Sequence, residues 1–210
     1  GLAAADAFVG EFQTLCRQHA DLQPTATLAE LAERTRERGQ AAAPPAAGLL
    51  SPLLAECGSG PRASRCVLVH GDFWAGNLLW LPRRGRLAPA VSRLAGGDWS
   101  GLGAGSALDD LLTWMASLRC EAATGSRLAL WRTLWLAPGY ARQLLRARAR
   151  EAGYTAAEAR AAFYLFLARR LGWELGLDLQ ARNPAETARA MAEWSLALDW
   201  LRQHGFPAPF

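Results

Sequence analysis

Apolar residues recur at three- and four-residue spacing over most of the chain and give way to short β-type runs only in its middle. Residues 3–19 set Ala4, Phe8, Phe12, Leu15 and His19 on one helical face. Thr27 and Glu30 form a capping box, in which the Thr hydroxyl and the Glu carboxylate each satisfy a backbone N–H of the first turn, and so open a second helix. Residues 41–48, with Pro44-Pro45, are expected to break the pattern, and a short apolar helix should follow over 49–57. A Gly/Ser/Pro loop covers 58–64.

Cys66–Val69 and Leu78–Leu81 read as short strands, Pro82 to Arg86 as a turn, and 87–94 as a returning strand. Gly101, Gly103 and Gly105 predict a flexible loop. Ser106 at N-cap with Asp109 at N3 starts a helix that runs to about Arg119, and Pro138-Gly139 divides the segment after it. Thr155 and Glu158 form another capping box, ahead of a helix carrying Phe163, Phe166 and Leu167. Asn183, Pro184 and Glu186 open the last helix, with Met191, Trp194, Leu198 and Leu201 on one face. The expected fold class is therefore mainly α with a small β-hairpin region, one domain over residues 1–210.

Composition narrows the chemistry. All 23 basic side chains are Arg; Lys and Ile are absent and Asn occurs only at 77 and 183. These three residues share AT-rich codons, which points to a GC-rich bacterial genome. Without Lys the chain offers no Schiff-base amine, no P-loop Lys and no Lys to grip ATP phosphates. The net charge of +4 is modest. The Arg clusters (Arg83, Arg84, Arg86; Arg142, Arg146, Arg148, Arg150) are interleaved with apolar residues, which favours solvated helix faces over a nucleic-acid surface. Cys16, Cys57, Cys66 and Cys120 lack metal-site spacing and fit buried thiols in a reducing cytoplasm. No apolar run is long enough for a membrane span.

The informative segment is Val69-His70-Gly71-Asp72-Phe73-Trp74-Ala75-Gly76-Asn77-Leu78-Leu79, followed by Gly97-Asp98-Trp99-Ser100 and then Asp110-Leu111. A loop between two strands can turn Asp72 and Asn77 into one cleft. An Asp there can orient a hydroxyl and take its proton, and an Asn oxygen with a further Asp can ligate a hard divalent cation such as Mg²⁺.

In these motifs the sequence resembles the aminoglycoside phosphotransferase family, whose relatives include choline, homoserine and fructosamine kinases and which shares the protein-kinase-like fold. The family pattern is H-G-D-x-x-x-x-N and two apolar residues, then a strand ending in D-[WF]-[ES], then a Gly-containing loop and D-[LI]. The resemblance implies a catalytic loop over 69–79 with Asp72 as the catalytic Asp, a metal loop over 96–105, and Asn77 and Asp98 as Mg²⁺ ligands. It implies His70 and Asp110 as structural supports of the catalytic loop; Asp109 is set aside because it pairs locally with Ser106. It further implies ATP as co-substrate and a small-molecule hydroxyl acceptor over a helical subdomain at 106–205. There the aromatic side chains Trp173, Trp194 and Trp200 and the carboxylates Glu174, Asp178 and Asp199 are read chiefly as core and surface residues, with packing against a cationic acceptor as the other possibility.

The departures are Gly97 in place of an apolar residue before Asp98, a long connection from Asn77 to Asp98, and the missing N-terminal lobe. Only about 70 residues precede His70, and they read as helices and loops. The likeness thus covers the C-terminal lobe alone. With Gly rather than Met at position 1, an ATP-gripping N-terminal kinase lobe is expected upstream in the full-length protein, unless the chain is a lobe-less relative. Two functions follow: a small-molecule kinase truncated to one lobe, or a non-catalytic kinase-like helical module that binds a partner or ligand. Neither nucleic acid nor membrane is an expected partner.

Overall fold

The computed structural model describes residues 2–41, 44–57, 66–73, 77–81, 93–96, 101–121, 131–175 and 183–210. In chain order the described elements are α1 (Leu2–Gln18), α2 (Leu28–Gln40), α3 (Pro44–Cys57), β1 (Val67–Val69), β2 (Leu78–Leu81), β3 (Arg93–Gly96), β4 (Gly103–Gly105), α4 (Asp109–Glu121), α5 (Tyr140–Glu151), α6 (Ala156–Glu174) and α7 (Pro184–Gln203). A π-helical turn, Trp131–Leu136, precedes α5. The fold is mainly helical, with two small two-stranded antiparallel sheets. Among the described residues no helix is long and apolar enough to cross a membrane.

The chain divides into two compact units. The first spans Gly1–Thr25 and Arg65–Ala123 and holds α1, the four strands and α4. Here β2 pairs with β3, Leu78 opposite Gly96 and Leu81 opposite Arg93, and lies in sequence between the partners of the other sheet, β1 and β4. Val67 faces Gly105 and Val69 faces Gly103. The expected flexible loop at Gly101–Gly105 is therefore corrected: its second half is a strand. Glycine weakens a strand but suits one whose partner must approach closely. A Cβ on Gly105 would stand 2.7 Å from Val69 Cγ2. The strand expected over 87–94 is β3 at Arg93–Gly96, a shift in register; residues 82–92 lie outside the described residues.

The buried stripe of α1 is Ala5, Val9, Gln13 and Cys16 rather than the Ala4, Phe8, Phe12, Leu15 face expected from apolarity; Leu15 is exposed. The cause is Gln13. Its amide Nε2 donates to the carbonyl of Ala107 at 3.0 Å, and this long-range bond turns a polar side chain inward. Phe8 still packs on the core formed by Ala5, Val9, Phe73 and Trp114.

The second unit spans Ala26–Ser64 and Thr124–Phe210 and holds α2, α3, α5, α6 and α7. Its centre is α6, with Ala162 to Ala168 all buried, as befits a helix covered on every side. Both capping boxes are present, Thr27 with Glu30 and Thr155 with Glu158. The break expected over 41–48 is corrected, because α3 already starts at Pro44. Proline is compatible with the first turn of a helix, where no N–H is required. Trp135 stands edge-on to Phe163 and Phe166, at 5.5 and 6.1 Å between centroids, and closes one side of this core.

Candidate active site

The segment His70–Asp72 leaves β1 through a left-handed residue, Gly71 at φ +80°. Only glycine adopts this conformation without cost. It also brings the loop against Gly101: a Cβ on Gly71 would run into the Gly101 carbonyl oxygen, and one on Gly101 would lie 2.9 Å from the backbone N of Asp72. Two glycines thirty positions apart thus let two backbones touch beside Asp72.

Asp110 fastens the same turn. Its Oδ2 accepts from the backbone N–H of His70 at 2.9 Å and its Oδ1 from that of Gly71 at 3.0 Å. Asp110 is only 1 % exposed, so these charge-assisted bonds replace water at a buried carboxylate. The neighbouring Asp109 is engaged locally: Ser106 Oγ donates to its Oδ1 at 2.5 Å. Helix α4 begins at Asp109 itself, so Ser106 closes a turn ahead of the helix, with the Asp109 N–H on the Ser106 carbonyl, rather than standing at N-cap.

On the far side of Asp72 the loop is pinned by Phe73, which is fully buried. Its ring stacks on Phe8 at 5.2 Å, leans on Trp114 at 6.0 Å and meets the His70 ring edge-on at 5.8 Å. His70 is likewise fully buried, so its ring is part of the packing and does not reach a ligand from solvent. The anchoring role of Phe73 was not singled out from the sequence, although a large apolar residue directly after the Asp was its signal.

Asp72 and Asn77 meet. Asn77 Nδ2 donates to Asp72 Oδ2 at 2.8 Å and to the Asp72 carbonyl at 3.0 Å. Both residues are half-buried. The amide nitrogen is thereby engaged, which leaves Asn77 Oδ1 and Asp72 Oδ1 as the oxygens able to take a ligand. Hard carboxylate and amide oxygens are the donor type that Mg²⁺ prefers. Among the described residues no group of three or more His, Cys, Asp or Glu side chains converges as a metal centre. Asp98, the second expected ligand, lies outside the described residues, as do Trp74, residues 97–100, the Arg83–Arg86 cluster and Asp178.

Two of the described thiols fit the expected pattern, whereas Cys57 is only half-buried, its Sγ donating to the Leu53 carbonyl at 3.3 Å. Cys16 and Cys66 are buried, and burial, with Asp110 nearby, pushes the Cys16 thiol above its ordinary value. Burial pushes the Cys57 thiol up to about 12.

The carboxylates and rings considered for a cationic acceptor are mostly turned to internal use. Glu174 accepts from Trp194 Nε1 at 2.9 Å and from Arg170 Nε at 2.8 Å, and both Glu174 and Trp194 are buried. Asp199 pairs with Arg202. Trp200 stacks on His204, and Trp173 lies under the Arg170 guanidinium. In the Arg142–Arg150 cluster, Arg142 and Arg146 donate from Nε to the carbonyl of Pro209, buried Arg148 pairs with Glu151, and Arg150 is exposed. No family model, curated protein or solved structure matches the chain.

Proposed function

We propose that the chain carries the acceptor-side half of a small-molecule phosphotransferase site of the aminoglycoside phosphotransferase type, on a C-terminal lobe of the protein-kinase-like fold. The observation that supports this reading best is the direct bond between Asp72 and Asn77 on a loop whose backbone is fastened by Asp110. A carboxylate so held has one oxygen engaged by the amide and the other open to an acceptor hydroxyl.

In the reaction, the acceptor oxygen bonds to the γ-phosphorus of ATP while its proton passes to the Asp72 carboxylate. The bond from that phosphorus to the bridging oxygen breaks, and ADP leaves. Asn77 and Asp98 are the residues that would hold Mg²⁺, which when bound neutralises phosphate charge. Asn77 also keeps the Asp72 carboxylate oriented. No Lys is present to grip the nucleotide, so the proposal places that task on a lobe upstream of this chain. The acceptor is a small molecule with a free hydroxyl, and a reducing cytoplasm suits the isolated thiols.

The same lack of Lys supports a second reading, a non-catalytic kinase-like module that binds a ligand or partner. Calorimetry with Mg²⁺–ATP on the full-length protein separates the two: saturable binding favours the kinase, none favours the module. With a panel of sugar, amino alcohol, amino acid and aminocyclitol acceptors, Asp72→Asn should lower turnover by roughly 10²–10⁴-fold, the usual worth of a positioned general base. Undiminished turnover in that variant overturns the assignment.

A further inference from the structure

Helix α1 buries Ala5, Val9, Gln13 and Cys16, and the amide of Gln13 is the polar group among them, on a residue only 1 % exposed. Its Nε2 donates to the Ala107 carbonyl at 3.0 Å. Its Oε1 is buried and has no hydrogen-bond partner among the described residues. A buried amide left half-satisfied carries a desolvation cost that an apolar side chain of similar volume avoids. Stability alone would therefore favour Leu or Met here, as it favours Val9 one turn earlier. The donor half of the amide is what this position uses.

That donor reaches the turn from which Asp110 is presented. Ser106 closes the turn: its carbonyl accepts the Asp109 N–H at 3.1 Å, and its Oγ accepts the Leu108 N–H at 3.3 Å. The two carboxylates that follow engage different strands. Asp109 Oδ2 lies against β4, 2.5 Å from where a Cβ on Gly105 would stand. Asp110 takes the His70 and Gly71 N–H groups at the end of β1. Cys16, next on the buried face of α1, feels the same group: burial and then the Asp110 carboxylate raise its thiol. Helix α1 thus bears on this segment directly at Gln13 and through the field of Asp110 at Cys16.

We propose that Gln13 is a positioning residue for the Asp72 loop: by holding the Ala107 carbonyl it fixes the start of α4, and with it the Asp110 carboxylate that fastens His70 and Gly71. All of these residues belong to the first unit. Two N–H groups on adjacent residues hold Asp110 in two directions, so a drifting α4 cannot keep both bonds. Asp72 follows Gly71 directly, and its bond to Asn77 depends on where that turn stands. The consequence for catalysis rests on the phosphotransferase reading; the consequence for the loop does not.

Gln13→Met nearly keeps the shape and removes the donor, and amide hydrogen exchange of the full chain reads the result residue by residue. The His70 and Gly71 amides should exchange about tenfold faster, roughly the worth of one hydrogen bond, while amides in the middle of α4 and α6 keep their parental rates. Unchanged His70 and Gly71 amides, or a rise shared by all four regions, overturns the proposal. If Gln13→Met does not fold, the parent chain decides. Its Gln13 Nε2 protons and the His70 and Gly71 amides should become exchangeable in one opening event as denaturant is raised, and Gln13 protons that open separately overturn the proposal. Turnover reads the catalytic consequence. In the full-length protein with Mg²⁺–ATP and the acceptor panel, Gln13→Met should lower kcat about tenfold and leave KM for ATP unchanged. Parental kcat in Gln13→Met beside a strong loss in Asp72→Asn overturns the positioning role. Parental kcat in both variants removes the phosphotransferase reading instead, and the exchange rates alone then decide the role of Gln13.

Discussion

Gly71 concentrates two demands on one residue: a left-handed backbone and contact with the Gly101 carbonyl. Gly153 meets only the first, with φ +74° and open space where a Cβ would stand. Comparing alanine at the two sites isolates the second demand. Gly153→Ala should cost about 1 kcal/mol by denaturant unfolding, and Gly71→Ala about 2–4 kcal/mol, since the clash is with backbone that cannot rotate away. Equal costs would show that the two loops do not touch. Cys57 supports another prediction at this scale. With its thiol pushed up to about 12, Cys57 is overwhelmingly protonated at pH 8. A thiolate-directed alkylating reagent should therefore modify native Cys57 far more slowly than a free cysteine, and match it after denaturation.

Among the elements, α2 and α6 begin in the same way. Thr27 Oγ1 accepts from the Glu30 N–H, and Thr155 Oγ1 from the Glu158 N–H, each at 3.2 Å. Thr155→Ala should cost about 1 kcal/mol, the usual worth of an N-cap, with Thr27→Ala similar. The α2 box also carries a pH signature. Glu30 accepts the Thr27 N–H at 2.7 Å, and that bond holds its carboxyl below the ordinary 4.5. A depressed folded-state pKa stabilises fully above the unfolded value and is lost as pH falls through the folded one. Glu30→Gln should therefore destabilise the protein at pH 7, and the difference should shrink steadily as the pH is lowered below the ordinary carboxylate value, as followed by unfolding at several pH values. A difference that does not shrink with falling pH would contradict this account.

Over the whole molecule, the permanently charged basic side chains are all guanidinium groups, which bind in fixed, planar arrangements. The structure uses several of them internally: Arg160 on Glu56, Arg170 on Glu174, Arg142 and Arg146 on the Pro209 carbonyl. None of the 210 residues is Lys, so no side chain among them offers an amine. An amine-directed ester should thus label no side chain within these residues, as read by peptide mapping in mass spectrometry, and leave Asp72 and Asn77 untouched. A labelled side chain within these residues would contradict this.

Local devices were legible because they need only neighbours in sequence. Both Thr capping boxes, the Asn183-Pro184 helix start and the apolar body of α6 depend on residues within a turn or two. The division of labour between Asp109 and Asp110 was also open to reading, since Ser106 stands three residues before the first and engages it. What the sequence hid was contact at long range. Gln13 turned the α1 face by one residue through a carbonyl ninety-four positions away, Gly103–Gly105 became a strand only because β1 lies beside it, and two Arg of an apparent basic cluster proved to hold the Pro209 carbonyl. By itself, then, the sequence determined which segments are helical, where α2, α6 and α7 start, and that His70, Asp72 and Asn77 share a loop. Tertiary structure alone decided which face of each helix is buried and that the Asp110 carboxylate reaches back to that loop, because a hydrogen bond or a backbone contact selects a partner in space that no residue spacing records.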